Sequence, residues 1–195
     1  MAVGRPREFD PDQVEQEAMK LFWEHGFDRV SISDVSAATG VNRRGIYEEF
    51  GSKESLFERA KQRYLAGPGG YLTDALARPT ARGVAEAMVH GAADTVSGDQ
   101  RGCLLVGDAP GLTELRDVTV HQLAERFDAA VAGGELSGVD TLLLARWIAA
   151  VCQGIAVQAR SGAGRADLHA VAELALAGWP GSAPESGGPQ KLSGR

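Results

Sequence analysis

Arg43 and Arg44 stand side by side where a helix of this chain should begin. A guanidinium fork can donate two parallel hydrogen bonds to O6 and N7 of a guanine edge. Tyr47, one turn further on, carries a hydroxyl that can reach a phosphate. Lys53 falls at the start of the next predicted helix, where an ammonium and open backbone amides suit a phosphate oxygen. Arg5 and Arg7 add two cations on an N-terminal arm that can lie along phosphates or enter a minor groove. This is the chemistry of nucleic-acid recognition rather than of catalysis. His25, His90, His121 and His169 show no metal-ligand spacing with each other or with the two cysteines, Cys103 and Cys152. GxSxG, phosphate-loop and dinucleotide glycine patterns are absent, as is CxxC. The expectation is a protein that is not an enzyme and uses no cofactor or metal.

Short helices must position these side chains. Ser31 can cap a helix over 32–39, with Asp34 completing a capping box. Ile32, Val35 and Ala38 repeat on one face of it. Gly40 falls where that helix must stop in a left-handed turn, which glycine adopts without a Cβ penalty. Asn42 caps a second helix over 43–50, whose first turn holds Arg43, Arg44 and Gly45. Ile46, Tyr47 and Phe50 are its predicted inward face. Neither helix would persist alone in water. Asp10-Pro11 opens a longer helix to residue 25, with Val14, Ala18, Leu21 and Phe22 on one stripe. Ser52 opens another over 53–65, burying Leu56 and Phe57. These two must brace the short pair, so residues 10–65 are predicted to form one cooperative helix-turn-helix unit behind a basic arm, 1–9. Ser31, Asn42 and Gly45 join Arg5, Arg7, Arg43, Arg44, Tyr47 and Lys53 as the predicted DNA-binding set.

From about Gly4 to Leu65 the chain resembles the DNA-binding domain of TetR-family transcriptional regulators. The resemblance is carried by the GRPR arm, AMKLFWEHGFDRVSI (18–32), the ATGV turn (38–41) and GIYEEFGSKESLF (45–57). It implies an all-α homodimer with an N-terminal helix-turn-helix and a ligand-responsive helical domain behind it. The chain departs from the family at three places. Asn42 replaces the more usual serine, Arg44 stands where a glycine is common with Gly45 next, and Glu49 occupies a position that often carries His, Tyr or Thr. A carboxylate there repels phosphate unless Arg43 or Lys53 pairs with it.

Behind a bend at GPGG, 67–70, the pattern predicts helices over 80–93, 101–109, 113–132, 140–160 and 167–177, about nine helices in all and no strand. Leu115, Val118, Leu123, Phe127 and Val131 are the predicted inward face of 113–132. The helix over 140–160 is apolar nearly all round, so it should be covered on several sides. It and the last helix supply the predicted two-fold dimer interface: Leu142, Ala145, Ile148, Ala149, Cys152 and Ile155 with Leu168, Val171 and Leu174. The resemblance implies an effector pocket, for which Cys103, His121, Phe127, Trp147, Val151 and Gln153 are the lining residues proposed. Residues 71–178 thus form the expected effector-binding and dimerisation domain. Residues 179–195, rich in Pro, Gly and Ser, are expected to be disordered.

The chain has 195 residues, with 20 Lys and Arg against 26 Asp and Glu, a formal net charge of −6. Residues 1–66 hold ten bases and twelve acids, so the predicted head is not basic overall and must rely on where its cations sit. No run of eighteen apolar residues is present, so no membrane span is expected. The N-terminus lacks the apolar core of a secretory signal, which predicts a cytoplasmic protein with free thiols. The function expected is a repressor, released from a near-palindromic operator when a small molecule binds the rear domain. Two alternatives remain open at this point. One is a redox sensor in which Cys103, beside Arg101, is the reactive group. The other is a ligand- or partner-binding protein whose head, carrying Glu48 and Glu49, no longer binds DNA.

Overall fold

The computed structural model describes residues 9–97 and 102–180. Arg5, Arg7, Arg101 and most of the predicted tail lie outside the described residues. The described chain is all helix: α1 (Pro11–His25), α2 (Ile32–Thr39), α3 (Arg43–Phe50), α4 (Lys53–Ala66), α5 (Tyr71–Leu76), α6 (Ala81–Val96), α7 (Leu112–Ala132), α8 (Thr141–Arg160) and α9 (Arg165–Ala177).

The predicted start signals work as chemistry. The Asp10 side chain accepts the Asp12 amide ahead of α1, and Pro11 fills the first helical position. Ser31, Asn42 and Ser52 cap α2, α3 and α4 in turn. α1 packs along α4, and α2 and α3 are held against that pair through Val35, Ile46 and Phe50. The seam is aromatic: Phe57 meets Phe22 edge-on at 5.2 Å and Phe27 at 5.1 Å. Two residues depart from expectation. Ala38 is exposed, and Tyr47 is 51% exposed rather than inward. A helix of about two turns buries one narrow strip, and on α3 that strip is Ile46 and Phe50, four residues apart.

The rear half differs from expectation at three points. The bend at Pro68–Gly70 is a 3₁₀ turn that runs straight into α5, a six-residue helix without a side-chain cap. Nothing in its sequence marks where it begins. The expected helix over 101–109 is absent from the described part of that segment, 102–109. Gly102, at φ +68°, breaks the helical path, and the side chains must serve two cores. Leu104 enters the head core, whereas Cys103 lies between the two. The segment's carbonyls are satisfied from outside: Arg116 donates to Leu105 O at 2.9 Å and to Gly107 O at 2.8 Å. Third, the predicted tail begins too early. Trp179 is buried edge-on against Phe127, with ring centroids 5.7 Å apart.

α8 packs on α6, α7 and α9. Its length and mean hydropathy of 1.5 would pass for those of a membrane span, but its inner face, Leu144, Ala145, Ile148, Ile155, Ala156 and Ala159, is buried in the rear core. On α7 the buried stripe is Leu112, Val120, Leu123, Ala124, Phe127 and Ala130. Val118 and Val131, expected inward, sit off that stripe and are exposed.

Two substitutions test this packing. Trp179→Ala should cost about 3 kcal/mol, measured by urea unfolding, because it empties a closed aromatic contact. Ser31→Ala should cost about 1 kcal/mol by removing the cap of α2. The Ser31 hydroxyl and amide also hold the Asp34 carboxyl below its ordinary range. That contribution is present at neutral pH and is lost as pH falls through the folded-state value. The Ser31→Ala deficit should therefore shrink in acid.

Candidate nucleic-acid interface

The turn between α2 and α3 is cross-braced before any ligand is considered. Gly40 takes the left-handed conformation at φ +74°. The Ser36 hydroxyl donates to Val41 O at 2.6 Å, and the Thr39 hydroxyl to Val35 O at 2.7 Å. Asn42 Oδ1 accepts the Gly45 amide at 2.8 Å. α3 is thereby fixed while its first turn stays open to solvent.

Arg43 and Arg44 both project from that turn and are exposed. Arg44 Nε donates to Glu48 Oε1 at 2.7 Å, an i,i+4 pair whose side chains are 87% and 63% exposed. A pair that open is weak, so Glu48 orients the guanidinium without locking it away. Arg43 Nη1 stands 3.5 Å from Ser33 Oγ, too long to tether it. Tyr47 turns its ring outward on the same helix. Lys53 Nζ sits 4.1 Å above the Phe27 ring, which parks the ammonium at the start of α4. α3 and the N-terminus of α4 therefore carry Arg43, Arg44, Tyr47 and Lys53.

The other predicted residues serve the scaffold. The Ser31 hydroxyl donates to Asp34 Oδ2 at 2.7 Å and accepts the Asp34 amide at 3.3 Å, so it is committed to the cap. Asn42 spends its side-chain carbonyl in the same way. Gly45 lies under Phe9: a Cβ there would come within 3.3 Å of the Phe9 ring. Phe9 was not anticipated from sequence, although it is the one aromatic of the arm segment. It anchors the end of the arm on the first turn of α3, with Arg7 and Arg5 two and four residues ahead of it.

Several of the head's acids are paired away from this face. Arg63 pairs with Asp12 at 2.9 Å, and Arg59 with Glu15 at 3.2 Å, stitching α4 to α1. Lys20 takes Glu17 at 2.7 Å. Glu49 is half-buried and engaged within the protein.

Behind the head lies a cavity of about 70 Å³ between α5, α6, α7 and α8. Of the residues predicted to line it, Cys103 and Gln153 do. Phe127 does not, because it is spent against Trp179. His121 faces solvent with Nδ1 2.7 Å from Asp117 O. Trp147 points toward the end of α9, near Gly178, and Val151 lies in the α8–α9 groove. Cys152 and Ala149, predicted at a dimer interface, line the cavity instead. Ala145, Ile148, Ile155 and Leu168, also predicted at the interface, are buried in the protomer core, with Ile155 and Leu168 at the floor of the α8–α9 groove. A helix apolar all round gives no sequence cue to which face turns inward. Leu142, Val171 and Leu174 stay exposed, joined by Leu143 and Val157.

The cavity thiols are poor nucleophiles. The Tyr64 hydroxyl donates to Cys103 Sγ at 3.3 Å, but burial pushes the Cys103 thiol up. Burial also pushes Cys152 up to about 12. Neither is a thiolate at neutral pH, which removes the ground for a reactive Cys103.

The segment from Gly102 to Leu112 joins cavity to head. Cys103, Leu105 and Val106 form cavity wall, while Leu104 and Leu112 belong to the head core. Trp23 Nε1 donates to Gly102 O at 2.7 Å across the junction, and its ring meets Tyr64 edge-on at 5.0 Å.

Comparison with known proteins agrees with this geometry. Residues 16–60 match the family described as "Bacterial regulatory proteins, tetR family". The chain is 29% identical to the HTH-type transcriptional repressor ComR of Escherichia coli K12, over 91% of this chain and 92% of ComR. It is 34% identical to the HTH-type transcriptional repressor BdcR of the same organism, over 60% of this chain and 62% of BdcR. Among solved structures, the TetR family transcriptional regulator CifR, a cysteine mutant complexed with 26-bp double-strand operator DNA, superposes with a TM-score of 0.83. It is 33% identical and the match covers 91% of this chain and all of CifR. With the capped two-helix turn, the exposed arginines and the helical rear domain all in place, the chain belongs to the TetR family of transcriptional regulators.

Proposed function

We propose that this protein is a homodimeric transcriptional repressor acting in the cytoplasm, and not an enzyme. It binds a near-palindromic double-stranded operator and leaves it when a small molecule occupies the rear cavity. The observation that carries this reading is the rigid turn that presents Arg43 and Arg44 to solvent on α3. Operator DNA in the CifR complex, and the repressor names of ComR and BdcR, point the same way. The arginines read base edges, while Tyr47, Lys53, Arg5 and Arg7 hold phosphates and set the register. The exposed apolar residues of α8 and α9, Leu142, Leu143, Val157, Val171 and Leu174, form the dimer face. Two-fold pairing there would present two α3 helices to successive major-groove turns.

The Gly102–Leu112 segment is the route from effector to head. A molecule filling the cavity presses on Cys103, Leu105 and Val106, and the same short segment is tied to α1 by the Trp23–Gly102 bond. DNA and effector thus favour different positions of one segment, and their coupling is reciprocal.

Two outcomes follow. The double variant Arg43→Ala, Arg44→Ala should fold normally yet lose at least a hundredfold in operator affinity by fluorescence anisotropy, since each bidentate base contact is worth about 1–3 kcal/mol. Undiminished binding would contradict the assigned reader. Trp23→Phe keeps an aromatic ring against Tyr64, smaller than the indole, and removes the N–H. Amide exchange over 102–106 should quicken and operator affinity should fall several-fold with both arginines intact. Faster exchange with unchanged affinity would disconnect the segment from the head.

A further inference from the structure

The wall of the rear cavity carries two hydrogen-bonding groups that the protein itself leaves unused. Tyr71 and Gln153 both line it, and neither the phenol nor the carboxamide bonds to another of the described residues. The other polar side chains of the wall are spent. The Thr95 hydroxyl donates to Pro68 O at 3.0 Å and the Thr119 hydroxyl to Leu115 O at 2.9 Å. The Cys152 thiol donates to Met88 O at 3.5 Å, and Cys103 is engaged by the Tyr64 hydroxyl. Arg116 is the one charged residue among the described residues of the wall, and its guanidinium is committed to Leu105 O, Gly107 O and Thr113 Oγ1. An anion entering here meets no free cation, and a cation meets no carboxylate. Either would be buried without a partner.

The fold gives up helix stability to seat Tyr71. Gly91 lies inside α6, where glycine is less favourable than alanine. A Cβ there would stand 2.5 Å from Tyr71 Cδ2 and 2.8 Å from its Cγ, so glycine alone lets the ring lie against the helix backbone. The hydroxyl then comes under the influence of the Cys152 and Cys103 thiols, both on the cavity wall, and burial pushes its pKa well above the ordinary value. It is a neutral donor at physiological pH. Gln153 brings two N–H donors and one carbonyl to the same wall. From this wall a groove of about 200 Å³, lined by uncharged residues, runs between α5 and α7. It shares Leu72, Met88, Leu115 and Thr119 with the cavity and reaches the exposed Val118.

We propose that the cavity takes an uncharged, elongated, mainly apolar molecule with a carbonyl group at its inner end: a ketone, an ester or an amide. The carbonyl oxygen accepts from the Tyr71 O–H and a Gln153 N–H, one donor to each lone pair. The alkyl portion lies along Leu72, Met88 and Leu115 and leaves through the groove between α5 and α7. Selectivity follows from what faces the ligand. A carboxylate or an ammonium of the same length must shed its water against a wall with no free counter-charge. A hydrocarbon fills the same space but leaves both donors without an acceptor. This assignment rests on the reading of the cavity as the effector site.

Calorimetric titration of the full chain with octan-2-one, octanoate and octylammonium at neutral pH tests it. The ketone should bind about tenfold more tightly than either ion, which must desolvate its charge. Tyr71→Phe and Gln153→Leu should each weaken the ketone about fivefold, the scale of one lost hydrogen bond, with helicity unchanged by circular dichroism. No ketone binding, an ion that binds as tightly as the ketone, or full ketone affinity in either variant would overturn the assignment. Val118→Trp alters an exposed side chain at the groove's mouth. It should slow ketone association several-fold in stopped-flow fluorescence, and an unchanged rate would overturn the route. Should an inner variant fail to fold, the wild-type preference for the ketone over both ions decides. Operator release is read separately by anisotropy. Ketone binding that leaves the operator bound would defeat the repressor reading and leave the ligand class standing.

Discussion

Two helices of eight residues each cannot keep their shape in water, and the whole DNA-facing surface depends on the packing that makes them do so. α1 and α4 provide that packing. Val35, Ile46, Leu56 and Phe57 close a small dry core under the turn, and the salt bridges from Arg59 and Arg63 to α1 clamp the long helices together outside it. A rigid turn lets Arg43 and Arg44 stand exposed on a fixed axis. Side chains fixed in direction but free at their tips discriminate between base edges better than ones that must first be ordered.

The same economy shapes the link to the rear domain. The head joins the second core through the turn after α4 and through a short shared segment. Its contacts include the segment ahead of α7, which inserts Leu104 and Leu112 into the head and lends Cys103, Leu105 and Val106 to the cavity. A segment shared by two cores cannot shift for one without disturbing the other, and close-packed interiors respond to such a push by stepping rather than stretching.

Much of this was legible in the sequence. The caps Asp10, Ser31, Asn42 and Ser52, with the stop at Gly40, mark local events decided by a side chain and its own backbone. The long amphipathic helices announce themselves by period. What sequence could not settle was long-range. The apolar run GCLLVG looks helical locally, yet its side chains are divided between two cores, and no local pattern encodes that division. Trp179 follows a glycine and precedes a proline-rich stretch, so composition hides a residue whose burial depends on Phe127, fifty-two positions earlier. On α8 the apolar residues are correctly identified, but which face turns to the cavity and which outward is fixed only by α6, α7 and α9. Cys152 and Ala149 therefore changed sides.

The central claim is that α3 reads base edges from a symmetric pair of protomers. Selection of bound sites from random double-stranded DNA tests it most directly. The account predicts enrichment of a near-palindrome whose half-sites are about one helical turn apart, with guanines at matching positions in each half. Recovery of no preferred sequence, or of a single asymmetric half-site, would contradict it.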